Sequence, residues 1–213
     1  ADVLLVRGTP VTAPMLEAGP LSLSVRAGAG YNTVDVAAAS RRGIYVANCP
    51  GKNAMAVAEL TFALILALDR RVPDNVADLR AGVWNKKKYS EARGLFGRTL
   101  GLLGYGAIGQ EVARRARAFG MPVVVWSRRF SERGEARASD RSIRIAASLE
   151  EVAEVADVLS LHLALTPETR GIVGASVRGK LRHGSYVINT ARGEIVDYAA
   201  LEVAIRERHI RVG

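Results

Sequence analysis

The sequence predicts an α/β protein made of two parallel-sheet units, and three observations carry that prediction. Short apolar runs alternate with segments of helical periodicity along almost the whole chain, the pattern that gives parallel strands covered by helices on both faces. One such run, Thr99–Leu103, passes directly into Gly104-Tyr105-Gly106-Ala107-Ile108-Gly109 and then into a helical segment. Between the two alternating series lies a long stretch, Asn53 to Trp84, with few turn signals besides Pro73.

In chain order, Val3 to Arg7 reads as a strand ending at Gly8-Thr9-Pro10, and Thr12 to Glu17 as a short helix with Thr12 as N-cap. Leu21 to Arg26 is a second strand running into the turn Ala27-Gly28-Ala29-Gly30. Thr33 to Arg42 is a helix with Gly43 at its C-terminal cap, and Tyr45 to Ala47 is a third strand. Asn53 to Trp84 reads as two consecutive helices. The first, Ala54 to Leu68, is apolar nearly all round and is expected to be buried. The second series then follows: strands Thr99–Leu103, Pro122–Trp126, Ile143–Ala146, Val158–Leu163 and Ser185–Asn189, and helices Gly106–Phe119, Leu149–Val155, Gly174–Leu181 and Tyr198–Arg208. The polar, arginine-rich stretch Ser131–Ser142 is expected to be an exposed loop. The boundary between the units is set at residues 96 and 97, giving domains 1–96 and 97–213 that meet across a cleft.

Composition narrows the function classes. The 213 residues are 49% hydrophobic and 24% charged, which is the balance of a globular chain. One cysteine, Cys49, allows no internal disulfide and no cysteine zinc cluster, and fits a cytoplasmic protein. No run of about 18 apolar residues suggests a membrane span. The net charge of +9 raises the question of nucleic acid. Apart from Lys86-Lys87-Lys88, however, the basic residues are scattered, and arginine outnumbers lysine about five to one. No aromatic-interleaved basic patch is present, so neither nucleic acid nor membrane is expected as a partner.

Gly104-Tyr105-Gly106-Ala107-Ile108-Gly109 fits G-x-G-x-x-G in the required strand-to-helix context. Gly104 suits the tight turn, Gly106 lets backbone approach a pyrophosphate, and Gly109 lets the helix sit on the sheet. The free N–H groups and dipole of the helix start attract the anion. At the end of the next strand, 18 residues beyond Gly109, stands Ser127 in Trp126-Ser127-Arg128-Arg129, where NAD-binding chains usually carry Asp or Glu. A carboxylate there would repel a 2′-phosphate, whereas Ser127 can donate to one. Arg128 or Arg129 can form a charge-assisted pair of about 1.5–3 kcal/mol, which at about 1.4 kcal/mol per tenfold gives a preference of about ten- to a hundredfold. NADP is therefore expected to be favoured over NAD.

Downstream, Asn189-Thr190-Ala191-Arg192-Gly193-Glu194-Ile195-Val196-Asp197, taken with the fingerprint and with Arg26-Ala27-Gly28-Ala29-Gly30, resembles the D-isomer-specific 2-hydroxyacid dehydrogenases. Val57-Ala58-Glu59-Leu60, Trp84-Asn85-Lys86-Lys87-Lys88 and Gly97-Arg98-Thr99-Leu100-Gly101 extend the resemblance over nearly the whole chain. It implies two Rossmann-like or flavodoxin-like domains joined by crossover helices. It also implies an oxidoreductase that interconverts a D-2-hydroxy acid and a 2-keto acid with NAD or NADP. The likeness is strongest to members acting on 3-phosphoglycerate in serine synthesis, with glyoxylate or hydroxypyruvate reduction as the alternative. A non-catalytic dinucleotide-binding corepressor is the alternative of another class.

By the same resemblance, Arg192 is the catalytic arginine that grips the substrate carboxylate, a task suited to its planar fork. Thr190 and Ala191 line the nicotinamide, Ala107 and Ile108 contact the pyrophosphate, and Leu163 replaces a common threonine beside the cofactor. Ala27, Gly28, Ala29 and Gly30 hold the substrate carboxylate, and Lys86 and Lys87 stand near a phosphate across a homodimer built on the crossover helices. The resemblance places the histidine that would protonate the alkoxide, its glutamate partner and a nicotinamide-binding aspartate beyond Gly213, and a further strand and helix before Asp2. On this reading the chain is the central part of a longer enzyme and turns over weakly. His162, His183 and His209 are expected to be structural or exposed, the nucleotide sheet is expected to lack its last strands, and no metal is expected.

Overall fold

The computed structural model describes residues 1–132, 142–207 and 209–213. The loop expected over Ser131–Ser142 falls almost wholly outside them. The chain divides into two compact units, Ala1–Met55 and Ala56–Gly213, whereas the sequence set the boundary at 96 and 97.

The first unit is a three-stranded parallel sheet, β1 (Val3–Val6), β2 (Leu23–Arg26) and β3 (Tyr45–Asn48), in that order, with α1 (Ala13–Glu17) and α2 (Val36–Arg41) between the strands. Thr12 occupies the N-cap of α1 without a side-chain bond; Asp35 caps α2, accepting from the Ala38 N–H at 2.9 Å. Val11, Leu16, Val34, Ala38, Ala39 and Ile44 form its core. β1 and β3 alternate exposed and half-buried residues, leaving Val3, Leu5 and Tyr45 in solvent. This corrects the expectation of helices on both faces: a strand whose burial has period two packs on one side only.

The second unit opens with α3 (Ala54–Arg70), whose first two residues lie in the first unit, and α4 (Val72–Arg80). Ala58, Thr61, Phe62, Ile65 and Asp69 are the buried stripe of α3, and its apolar members share a core with Leu100, Leu102, Val112 and Ile188. That packing assigns the helix to the second unit. The helix is not buried all round: Met55 and Leu60 are exposed, as are Val72, Val76 and Leu79 on α4, in which no residue is buried. An apolar stripe wider than the core can cover shows up as exposed surface, and hydrophobicity alone does not reveal the excess.

Beyond a 3-10 turn at Lys87–Tyr89 come β4 (Leu100–Leu103), α5 (Ala107–Ala118), β5 (Val123–Trp126), α6 (Arg128–Glu132), β6 (Ile143–Ile145), α7 (Leu149–Val155), β7 (Val158–Leu161), α8 (Ala175–Lys180), β8 (Ser185–Asn189), α9 (Tyr198–Arg206) and β9 (Ile210–Val212). Among the described residues the strands form one parallel sheet in the order β6-β5-β4-β7-β8-β9. Counted within the unit this is 3-2-1-4-5-6, the doubly wound dinucleotide-binding order. One strand goes beyond the sequence reading: Ile210–Val212 pairs with Ser185–Val187. β4, β5 and β7 are buried at every residue, as strands covered on both faces must be. In this order the strand sequence reverses between β4 and β7, and sheets of this kind take their ligands outside the C-terminal ends of the strands at that point.

A buried ion pair locks α3 to this sheet. Arg98 Nη1 donates to Asp69 Oδ1 at 3.0 Å, and both side chains are almost wholly buried. Asp69 also accepts from the Tyr186 hydroxyl at 3.2 Å and the Gly94 N–H at 3.1 Å. Arg98 lies over the Tyr186 ring and donates to the Asp157 carbonyl. A buried carboxylate is tolerable only when it is satisfied in this way.

Candidate functional site

The turn after β4 is held by contacts a side chain would destroy. Gly104 has φ +102°, and a Cβ there would lie 2.5 Å from the His162 carbonyl oxygen. A Cβ on Gly109 would lie 2.4 Å from the Gly104 carbonyl oxygen, so the first turn of α5 can close down on the loop only without one. Gly106, the N-cap of α5, differs: nothing stands within 4 Å of its would-be Cβ, and Gly106 and Ala107 are exposed. Two glycines thus make the turn and the third leaves its mouth open. Open space over unpaired helix N–H groups is what a pyrophosphate needs, so these residues fit a dinucleotide. Ile108 is half-buried on the core side.

Leu163 flanks this turn, its Cδ2 3.2 Å from the would-be Gly104 Cβ, so an apolar wall stands there. His162 beside it is half-buried: its Nε2 meets Ser160 Oγ at 2.9 Å, and desolvation of the ring pushes its pKa down to about 4. At the end of β5, Ser127 is buried and its carbonyl accepts from Phe130 N–H. Arg128 and Arg129 begin α6. Glu168 has its carboxyl held below the usual range, chiefly by a hydrogen bond from Thr166 and then by its own backbone N–H, with Arg128 adding attraction.

After β8 the chain forms a loop built on Asn189. Its side-chain oxygen accepts from the Ala191 N–H at 3.0 Å, while its amide donates to the Arg192 carbonyl at 2.9 Å. Arg192, half-buried, donates from Nη1 to the Ala191 carbonyl at 2.8 Å. Thr190 Oγ1 lies 3.1 Å from Thr61 Oγ1 on α3. Asn189 and Thr61 had no role in the sequence reading. An asparagine at the end of a strand before a tight turn is a legible signal for the first; nothing local marks the second.

His183 precedes β8 and His209 precedes β9, so both lie at the N-terminal edge of the sheet, with their rings 5.5 Å apart. Arg192 follows β8 at the other edge. Neither histidine can act beside it, as expected.

In the first unit, the turn Ala27–Gly30 uses two of its N–H groups internally: Ala27 donates to the Val6 carbonyl and Gly28 to the Arg26 carbonyl. This narrows the expected carboxylate cradle to Ala29 and Gly30, whose N–H groups meet no acceptor among the described residues. Asn48 Nδ2 holds the Ala29 carbonyl at 2.7 Å. The guanidinium of Arg26 lies over Gly28, its Nη1 1.5 Å from where a Cβ would stand, and its Nε is buried without a partner. Arg26 was quoted in the motif but given no role.

Lys86 lines a hollow of about 420 Å³ with Arg70, Asn75, Trp84, Asn85 and Tyr89. Lys87 is exposed and does not line it. Lys88 pairs with Asp78 at 2.7 Å. No cluster of potential metal ligands and no helix long and apolar enough to cross a membrane occurs among the described residues.

Residues 62–212 match the D-isomer specific 2-hydroxyacid dehydrogenase, NAD binding domain. D-3-phosphoglycerate dehydrogenase of Methanocaldococcus jannaschii is 38% identical over 99% of this chain, which spans only 40% of that relative. Hydroxypyruvate reductase of Thermotoga maritima is 41% identical over 94% of this chain and 63% of its own length. The NAD+-bound 3-phosphoglycerate dehydrogenase structure from Entamoeba histolytica superposes with a TM-score of 0.81 at 32% identity, covering 100% of this chain and 63% of that one. With the fold, the open glycine turn and these similarities together, the chain belongs to the D-isomer specific 2-hydroxyacid dehydrogenases and carries their NAD-binding domain.

Proposed function

We propose that the protein interconverts a D-2-hydroxy acid and its 2-keto acid, with 3-phosphoglycerate as substrate. The observation that carries this reading is the Asn189-clamped loop, which sets Arg192 on the sheet edge that also bears the Gly104–Gly109 turn. The cofactor, when bound, supplies or accepts the hydride. Gly106, Ala107 and Ile108 would hold its pyrophosphate, with Leu163, Thr190 and Ala191 along the rest. Arg192 pairs with the substrate carboxylate and polarises the keto oxygen; in the first unit, Ala29 and Gly30 carry N–H groups suited to a carboxylate. Arg26 offers a guanidinium to a second anionic group. The orphaned Nε of Arg26 and the hollow lined by Arg70 and Lys86 favour a substrate carrying a phosphate.

The finer cofactor preference is for NADP: Ser127, Arg128 and Arg129 put no carboxylate where a 2′-phosphate would lie. A homodimer through α3 and α4 accounts for their exposed apolar residues. Hydroxypyruvate reduction is the second reading, supported by the Thermotoga relative. The test is a panel of 3-phosphoglycerate, hydroxypyruvate, glyoxylate and pyruvate on the complete protein with both cofactors. Turnover of 3-phosphoglycerate with a lower KM for NADP than for NAD supports both parts. Reduction of hydroxypyruvate alone selects the second reading, and no turnover of any member favours a dinucleotide-binding protein without catalysis.

A further inference from the structure

We infer that Thr61, on α3, is a positioning residue. It fixes the Thr190 hydroxyl as a hydrogen-bond acceptor toward the nicotinamide carboxamide. The inference rests on the cofactor reading above and deepens it. Thr61 is fully buried on α3. Its Oγ1 donates to the Val57 carbonyl at 2.9 Å and lies 3.1 Å from Thr190 Oγ1.

Each hydroxyl carries one proton and two lone pairs. The Val57 carbonyl can only accept, so the Thr61 proton is committed to it, as helical threonines usually commit theirs four residues back. The contact between the two hydroxyls is then made by the Thr190 proton. Thr190 is left with lone pairs and no donor. It stands half-buried at the C-terminal end of β8, in the second mononucleotide half of a 3-2-1-4-5-6 sheet, the half that takes the nicotinamide when the pyrophosphate sits at the first turn. A carboxamide presents an NH2 to such an oxygen. A carboxylate presents only acceptors and leaves two oxygens facing each other unpaired, which costs what a site built for one hydrogen bond loses with the wrong partner.

The test compares NAD+ with deamido-NAD+, which carries a carboxylate in place of the carboxamide, by calorimetric titration of the complete protein. The parent is expected to bind NAD+ more tightly. In Thr61→Val, which keeps the shape and removes the hydroxyl, the Thr190 proton is free to turn toward the ligand. The Kd ratio of deamido-NAD+ to NAD+ then falls about five- to tenfold. Thr61→Ser restores the hydroxyl and the parent ratio. A Thr61→Val protein that binds both ligands more weakly by the same factor, or keeps the parent ratio, overturns the inference while leaving the cofactor site standing. A parent that binds neither ligand overturns the cofactor reading and this inference with it.

Discussion

The two glycine-rich turns, one after β2 and one after β4, look alike in sequence and are built on different principles. After β4, Gly104 and Gly109 are required by backbone: carbonyl oxygens stand 2.5 and 2.4 Å from where a Cβ would go. After β2, Gly28 is crowded by the end of its neighbour's side chain, the Arg26 guanidinium. Backbone cannot step aside, and a guanidinium can. The first turn is therefore a fixed shape, and the second is an arrangement of charge over a loop that tolerates change at the cost of moving that charge.

The largest effect should come from breaking the fixed turn. Gly104→Ala, with φ +102° and a carbonyl in the way, is expected to lower stability by about 3 kcal/mol, read as a drop in the urea midpoint. A variant as stable as the parent would mean the backbone contact is not what makes the turn. The residue supplying that carbonyl gives the next test. The folded pKa of His162, about 4, lies below its unfolded value. Its contribution is therefore fully present above about pH 6.5 and is lost as pH falls from there to about 4, on the order of 2–3 kcal/mol. His162→Asn should show a shallower fall in stability across that window than the parent; parallel curves would refute the assignment.

Gly106→Ala sharpens the contrast, since its Cβ meets nothing. Stability should change by less than about 1 kcal/mol, while the Kd for NAD+ should rise more than tenfold. Unchanged binding would show that nothing approaches this mouth. Gly28→Ala is expected to cost about 1 kcal/mol of folding from its φ of +156°, with KM for a phosphorylated substrate rising more than kcat falls as Arg26 is displaced. Equal effects on phosphorylated and unphosphorylated substrates would remove Arg26 from phosphate recognition.

What could be read in the sequence was what is local. The run from Thr99 through Gly109 into α5 carries strand, turn and helix signals within a few residues, and the structure follows it closely. β9 escaped because Ile210-Arg211-Val212 is three residues with a charge in the middle, too short for any period to show. The exposed face of α3 escaped because its stripe is apolar on both sides and only tertiary packing chooses between them. The Thr61–Thr190 contact joins residues 129 apart, and no pattern within either segment points to the other. The Asn189 clamp was within reach: asparagine closing a strand before a tight turn is a backbone-binding signal, eclipsed here by the arginine three residues on.

The buried cluster around Asp69 has a consequence in time as well as in energy. It ties together Asp69, Gly94, Arg98 and Tyr186, with the Tyr186 hydroxyl reaching across 117 residues of sequence. Contacts so distant form only after the intervening sheet has closed, late on the folding path. Interactions absent from the transition state act on escape from the native state rather than on arrival. The Tyr186–Asp69 bond is thus a latch on the unfolding rate: loosening it shortens the lifetime of the folded nucleotide domain and leaves the speed with which that domain assembles almost untouched.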